Sequence, residues 1–447
     1  MMAETPRVGQ KIRALRKKMG MTQQDLAGDE FTKSFISQIE KNHARPSLRS
    51  LQIIADRLGK PISYFLDENY SAPSYDPDKI DHLILLAHHL EQEDKISDAI
   101  NYYKEALSIT DKTDYRRRGQ LYFDLGKAYR HLGQTPNAVQ MLELAGVELE
   151  LAADWELLSY TYNALGDLHL NQGNLEASVS FFEKALDSTE RHLERLPGLQ
   201  TMTLTNLGIA YARSEEYEKA RHHLLLALKQ SESTQTYYKY GEICMALGYI
   251  DFHRQALDDA SRFTKRAWYF YAAIENDDMR IQCQINLGSI ERARKQFITA
   301  EQQLTEAAEK ASAAGLSFHE AHAYEELAAL YLNWHPQSPS RLSKAETVLE
   351  KALRLYTDST RQIAVQQLLA EVYVHQGKID EAISTLEGAT VVLEKAAEGK
   401  LQLAEVYSRL GELYQLQGDA EQATTFLQRS VNIFREMQIK AHPMQSQ

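Results

Sequence analysis

The sequence predicts an all-α protein in two parts, a small basic helical head and a long array of about nine helical hairpins. Three observations carry this. Two short capped helices with a tight turn between them run from Met21 to Asn42. A small residue, glycine or alanine, then recurs every 40 or so positions from Ala87 to Gly411. Charge is also unevenly divided. Residues 1–70 hold twelve lysines and arginines against eight aspartates and glutamates, leaving +4 there and −16 for the rest of a chain of net −12. A basic front on an acidic body suits a protein that touches a polyanion with one end only.

The head comes first. From about Val8 to Met19 a basic amphipathic helix is expected, with Val8, Ile12, Leu15 and Met19 as its apolar stripe and Arg13, Lys17 and Lys18 off it. Thr22 can cap the next helix, and Asp25 three residues on completes a capping box. Gly28 to Glu30 break that helix. Thr32 caps a second one, in which Phe35, Ile36 and Ile39 form one buried stripe. Lys33, Ser34, Ser37 and Gln38 fall on its other side, with Lys41 and Asn42 at the exit. Short polar side chains flanked by cations can enter a major groove and bond to base edges. His43-Ala44-Arg45-Pro46 cannot continue a helix into proline, and its cations are placed to lie against the sugar-phosphate backbone. Ser47 caps a fourth helix with Leu48, Leu51, Ile54, Ala55 and Leu58 inward, and Gly59 ends it. Ile62, Tyr64, Phe65 and Leu66 close the small core.

These residues resemble the helix-turn-helix domain of the Cro/repressor (XRE) family. The landmarks are Ile12-Arg13-x-x-Arg16, Gly20-Met21-Thr22-Gln23-x-x-Leu26-Ala27, Ile36-Ser37-x-Ile39-Glu40, Pro46-Ser47-Leu48 and Ile54-Ala55-x-x-Leu58-Gly59. The resemblance implies a five-helix domain in which Gln23 grips a phosphate. Lys33, Ser34, Ser37 and Gln38 face bases, and Arg16 pairs with Glu40 inside. The DNA-binding set is then Gln23, Thr32, Lys33, Ser34, Ser37, Gln38, Lys41, Asn42, His43 and Arg45. The segment between Ala27 and Thr32 is one residue shorter than the family's usual pattern, and Asn42 stands where glycine is common.

Composition narrows the class. The chain has 447 residues, 43% hydrophobic and 25% charged, ordinary for a soluble globular protein. Its two cysteines, Cys244 and Cys283, sit inside apolar helical patterns. That excludes a disulfide framework and fits a reducing cytosol. The N-terminal stretch is charged almost at once, and neither a signal peptide nor a membrane span is expected.

Domain bounds follow: residues 1–68 the helix-turn-helix head, 69–78 a linker with two prolines, 79–437 the repeats, and 438–447 a polar tail. The repeat register is set by Leu125-Gly126, Tyr129, Ala138, Leu142, Ala145; by Leu207-Gly208, Tyr211, Ala220, Leu224, Ala227; and by Leu410-Gly411, Tyr414, Ala423, Leu427, Ser430. Weaker copies anchor at Ala87, Gly166, Gly248, Gly288, Ala328 and Ala370. This resembles the tetratricopeptide repeat, nominally 34 residues. It implies a right-handed superhelical solenoid whose helices or loops exceed the consensus. The seventh copy is five residues longer, around His335 to Pro339, in the turn. The last helix still carries Val431, Ile433 and Phe434, so either that side folds inward or a second subunit covers it. A homodimer through the C-terminal repeats is expected.

The register also predicts an inner face. Its peptide-binding candidates are Arg130, Tyr160, Asn163, Asp167, Asn171, Asn206, Arg213, Tyr249, Asn286 and Arg292, beside Lys127, Gln282, Glu325 and Glu371. Asn163, Asn206 and Asn286 stand just before their anchors, and an asparagine amide offers the donor and acceptor that an extended peptide needs. Taken singly, each reads first as a solvated or helix-bridging residue; the set of three in one register points to a peptide groove. Arg213 and Arg292 can take a terminal carboxylate bidentately. A helix-turn-helix followed by about nine long tetratricopeptide copies is similar to the RRNPP family of quorum-sensing regulators, and by length to its NprR branch. That resemblance implies a cytosolic receptor for a short re-imported signalling peptide. Capture would change its oligomeric state or its binding to a palindromic operator in double-stranded DNA. Two rival classes stay open: a protein-docking scaffold, for example for a response regulator, and a ligand-independent repressor.

Catalytic signatures are missing. There is no Walker-type loop or dinucleotide fingerprint, so no cofactor and no enzyme activity are expected. His319-Glu320-Ala321-His322 spaces its histidines three apart rather than the four of a zinc-protease helix, so no metal site is expected.

Overall fold

The computed structural model describes residues 8–28, 30–41, 43–44, 46–60, 64–65, 77–192, 196–237, 239–334, 336–395 and 399–441. Among them the chain forms twenty-two α-helices and no strand. None of the described helices is long and apolar enough to cross a membrane. The chain divides into two compact units, Met1–Asp154 and Trp155–Gln447.

The first unit opens with α1 (Val8–Lys18), α2 (Gln23–Ala27), α3 (Lys33–Glu40) and α4 (Leu48–Arg57). Each start has a chemical cause. Thr22 and Asp25 form the reciprocal box at α2. Thr32 accepts from the Phe35 amide at α3, and Ser47 from the Ser50 amide at α4. Arg57 closes the far end of α2, donating to the Ala27 carbonyl (2.6 Å) and pairing with Glu30. Ile12, Leu26, Ile36, Ile39, Leu51, Ile54 and Phe65 are buried as one core. Within that core wall Arg16 and Glu40 pair, and the Gln23 amide also donates to Glu40 (2.8 Å). Two expectations need correction. Met19 lies beyond the end of α1 and is 49% exposed instead of completing the stripe, and Tyr64 is also exposed. Four helices of the head are described; the expected fifth falls on Ile62 to Leu66, of which only Tyr64 and Phe65 are described. The linker at 69–76 lies outside the described residues, and Pro77 and Asp78 already belong to the next helix.

Two hairpins complete this unit, α5 (Pro77–Gln92) with α6 (Ile96–Ile109) and α7 (Tyr115–His131) with α8 (Thr135–Leu151). Seven more build the second unit: α9 (Trp155–Asn171) with α10 (Leu175–His192), α11 (Pro197–Arg213) with α12 (Tyr217–Thr234), and α13 (Tyr240–His253) with α14 (Leu257–Ala273). Next come α15 (Asp277–Ala293) with α16 (Phe297–Ala313) and α17 (Ser317–Trp334) with α18 (Pro339–Leu355). The last are α19 (Ser359–Gln376) with α20 (Ile379–Leu393) and α21 (Lys400–Gln417) with α22 (Ala420–Ala441). The nine expected copies are therefore nine described hairpins. Most of their helices are 17 or 18 residues long, which accounts for the period above the consensus. The extra residues of the seventh copy sit in the turn after Trp334, whose ring stacks on Phe297 and carries the Arg341 guanidinium; His335 itself lies outside the described residues. α22 runs through Ala441, so Gln438 to Ala441 continue the helix that was expected to end near Met437.

The recurring small residue has one cause throughout. A Cβ placed on Gly126, Gly208 or Gly288 would fall 2.5–2.6 Å from the Leu142, Leu224 or Leu304 side chain, always the residue sixteen positions on in the partner helix. The tyrosine three residues after the anchor also has a task. The Tyr211, Tyr331 and Tyr414 hydroxyls donate to Glu183, Glu301 and Glu387 in the preceding hairpin, at 2.6–2.8 Å. Ion pairs repeat with the same period: Arg254 bridges Glu218 and Asp251, and forty residues on Arg294 bridges Asp258 and Glu291. Cys244 and Cys283 are buried, and burial pushes their thiols up to about 11 and about 12, so neither is a reactive thiolate.

Candidate nucleic-acid interface and ligand cavity

On α3 the two faces separate as the spacing requires. Ile36 and Ile39 are buried, while Lys33, Ser34 and Gln38 are exposed and Ser37 half-buried. Thr32 is committed to its cap. Lys41 and His43 are exposed, and the His43 amide donates to the Gln38 carbonyl (2.9 Å), folding the chain back after the helix. Asn42 and Arg45 lie outside the described residues. Gln23 is half-buried with its amide turned inward to Glu40. Sequence reasoning passed over a cleft beside this face. Arg13 and Lys17 from α1 meet Lys41 and His43 across about 580 Å³. Its signal was the pair of cations one turn apart on α1. Such a cationic cleft is shaped for a phosphate.

The inner-face candidates divide three ways. Lys127 and Arg130 are exposed on α7 in the first unit. In the second unit Tyr160 and Asn171 are exposed on α9 and Asp167 is half-buried. Asn163 and Asn206 contradict the groove assignment: they are 3% and 6% exposed. The Asn163 amide donates to the Ser159 carbonyl and the Thr203 hydroxyl, both at 2.9 Å. The Asn206 amide donates to the Asn163 carbonyl oxygen (3.1 Å), and the Lys239 ammonium to the Asn206 oxygen (3.0 Å). They form a ladder that ties α9, α11 and the start of α13, and leaves the Asn163 amide no capacity for a peptide backbone. Asn206→Ala is expected to cost about 1–3 kcal/mol, because it removes the donor to the buried Asn163 oxygen and leaves the Lys239 ammonium with Glu242 alone. Urea unfolding measures it; a change below a few tenths would mean that the ladder carries no load.

The remaining candidates converge. Arg213, Tyr249, Gln282 and Asn286 line one cavity of about 600 Å³ built from α11, α13, α14, α15 and α17. A second lobe of about 650 Å³, walled by Leu170, Leu175 and Tyr217, meets it at Arg213, Tyr249 and His253. Arg292 is not available to a carboxylate as expected. Its guanidinium is paired with Glu326 (2.9 Å), which also accepts from Ser289 (2.6 Å). Glu325 is turned to the Tyr356 hydroxyl (3.0 Å), and Glu371 is half-buried on α19. Met245, Phe252, Met279 and His322 were missed. The signal was available, since Met245 and Phe252 stand a turn either side of the Gly248 anchor, but apolar residues there read as core. His322 lines the cavity with its Nδ1 unpartnered, and burial holds its imidazole below the ordinary value. Its neighbour His319 pairs with Asp278 (3.2 Å). Among the described residues no group of three metal-ligating side chains is assembled.

Comparison with known proteins divides the chain in the same way. A helix-turn-helix family matches residues 12–65. A MalT-like tetratricopeptide region matches 82–281, and a tetratricopeptide repeat family 359–436. Transcriptional activator NprA of Geobacillus stearothermophilus is 28% identical over 153 residues, 33% of this chain and 36% of that protein. Response regulator aspartate phosphatase I of Bacillus subtilis is 27% identical over 143 residues, 31% and 35% of the two chains. The helix-turn-helix match thus falls on the head and the two tetratricopeptide matches on the hairpins. The chain's matches span about a third of the length of these two curated relatives. The fold also resembles that of a tetratricopeptide-sensor signal transduction ATPase of Pyrococcus horikoshii. That likeness has a TM-score of 0.55 at 14% identity, covering 98% of this chain and 67% of that one.

Proposed function

We propose that this chain is a cytosolic DNA-binding transcriptional regulator. In this reading its repeats capture a short signalling peptide, and capture alters its oligomeric state or its grip on a palindromic operator. The supporting observation is the pairing of two sites in one chain. One is a polar, cation-flanked recognition helix. The other is an apolar-walled cavity edged by amide and charged groups, large enough for part of a short peptide. The relative named a transcriptional activator favours the same output. Titration calorimetry with synthetic peptides from short reading frames beside the gene tests it, followed by operator binding. Failure of every peptide to bind or to change operator affinity removes ligand control.

A homodimer through the last repeats fits this reading. Leu427, Val431 and Phe434 lie at i, i+4 and i+7 on α22, the latter two 46% and 40% exposed, where a second copy would cover them. Sedimentation of the full chain against Val431→Lys, which should shift it to monomer, tests the contact.

Gln38→Ala is expected to relax base preference at one operator position by about 1–3 kcal/mol. Lys33→Ala is expected to weaken binding by either a phosphate or a base contact. Competition between operator variants separates these effects, and an equal loss on all sequences for Gln38→Ala would overturn the reading face.

The relative named a response regulator phosphatase motivates a second reading, in which the repeats dock a response-regulator protein. Co-purification of such a partner in stoichiometric amount, without operator binding, would favour it.

A further inference from the structure

Between α11 and α16 the described chain holds eight arginines. Seven of them pair with a carboxylate within 4.0 Å. Arg213 is the exception: among the described residues it has no carboxylate partner, and its hydrogen bond is a long one to the Leu170 carbonyl (3.4 Å). It is exposed, stands at the last residue of α11, and lies where the two cavity lobes meet. A guanidinium has five donors in a flat fork that matches a carboxylate. The walls beside it are apolar and adaptable, with Ile209, Met245, Phe252 and Met279 around one lobe. Further in, the Gln282 amide donates to the Asn286 oxygen (2.9 Å). That bond leaves one whole NH2 group and one amide oxygen of the pair unengaged, enough to donate to and accept from a single peptide unit, whichever way the two amides are turned.

We infer that the ligand is a peptide whose free C-terminal carboxylate seats on Arg213 and whose final side chain is a bulky aliphatic one, with its backbone running toward Gln282 and Asn286. This rests on the peptide-capture reading above and adds the direction and terminal chemistry of the ligand. Arg292 cannot play the same part, because Glu326 already neutralises it.

The test uses the immobilised full chain and two random heptapeptide pools, one with free carboxylates and one made as C-terminal carboxamides. Retained peptides are read by mass spectrometry. The free-acid pool should be retained about tenfold or more over the amide pool, enriched in leucine, isoleucine, valine or methionine at the last position. Arg213→Gln should erase that preference with an unchanged unfolding midpoint. Arg213→Lys keeps the charge but loses the fork, and should keep a weakened preference. Equal retention of both pools by the unaltered chain overturns the inference while leaving peptide capture standing. Retention of neither pool overturns both.

Discussion

Arg16→Met is expected to unfold the helix-turn-helix head while leaving the hairpins folded. Arg16 and Glu40 are both buried, joined by two contacts, and Gln23 completes the shell around the same carboxylate. Removing one member of such a pair leaves a charge stranded away from water, at a cost of about 3 kcal/mol. That is a large fraction of what a domain this small can hold in reserve. Amide exchange of α1 to α4 in the full chain is the measurement, with operator affinity falling in parallel. Arg16→Lys, which keeps the charge without the fork, should fall between. Acid supplies a second check. Burial alone would raise the Glu40 pKa, but its hydrogen bonds to Arg16 and Gln23 outweigh this and hold it below the ordinary 4.5. The stability this group contributes is therefore present above that value and lost as pH falls through the depressed one. In Arg16→Met the stranded carboxylate is relieved by protonation, so the gap between the two proteins should narrow in acid. A gap constant with pH would show that the pair does not hold the head together.

Gly208→Val should cost about 1–3 kcal/mol by crowding a contact that has no slack. A Cβ there falls 2.6 Å from the Leu224 Cγ and 3.2 Å from the Ala220 carbonyl, and Leu224 is itself fully buried. The side chain cannot swing aside and the backbone is held by its own helix. Adding Leu224→Ala to the variant should recover part of the loss, since it removes the atoms that collide. Gly198→Ala, where nothing lies within 4 Å, serves as the neutral comparison. Urea unfolding of the three proteins decides it; equal midpoints would mean the hairpin tolerates a wider separation than its geometry suggests.

The parts of the fold readable in advance were those written in local chemistry. Thr22, Thr32 and Ser47 announce helix starts because an oxygen one turn from a free amide has one obvious use. The glycine-led register was readable because close approach admits few side chains, so the same choice recurs. What could not be read were the pairings set by neighbours far along the chain. The asparagines of α9 and α11 have the donor and acceptor that a ligand needs. The Thr203 hydroxyl and the Lys239 ammonium, 40 and 33 positions away, take them first. Arg213 and Arg292 occupy similar places on their helices, yet only one meets a carboxylate, because Glu326 lies in the next hairpin. The apolar cavity wall was invisible for another reason. Methionine and phenylalanine facing a hollow carry the same periodicity as those facing a core.

The chain of bonds from Thr203 through Asn163 and Asn206 to Lys239 has a mechanical meaning. Each link joins the leading helices of successive hairpins, so α9, α11 and the entry to α13 cannot slide past one another without stranding a buried amide. These three form a stiff block, and one wall of the cavity belongs to it. Any hinge that opens or closes around a ligand must then lie on the opposite wall, among α15 and α17, where Arg292, Ser289 and Glu326 form the connecting bonds.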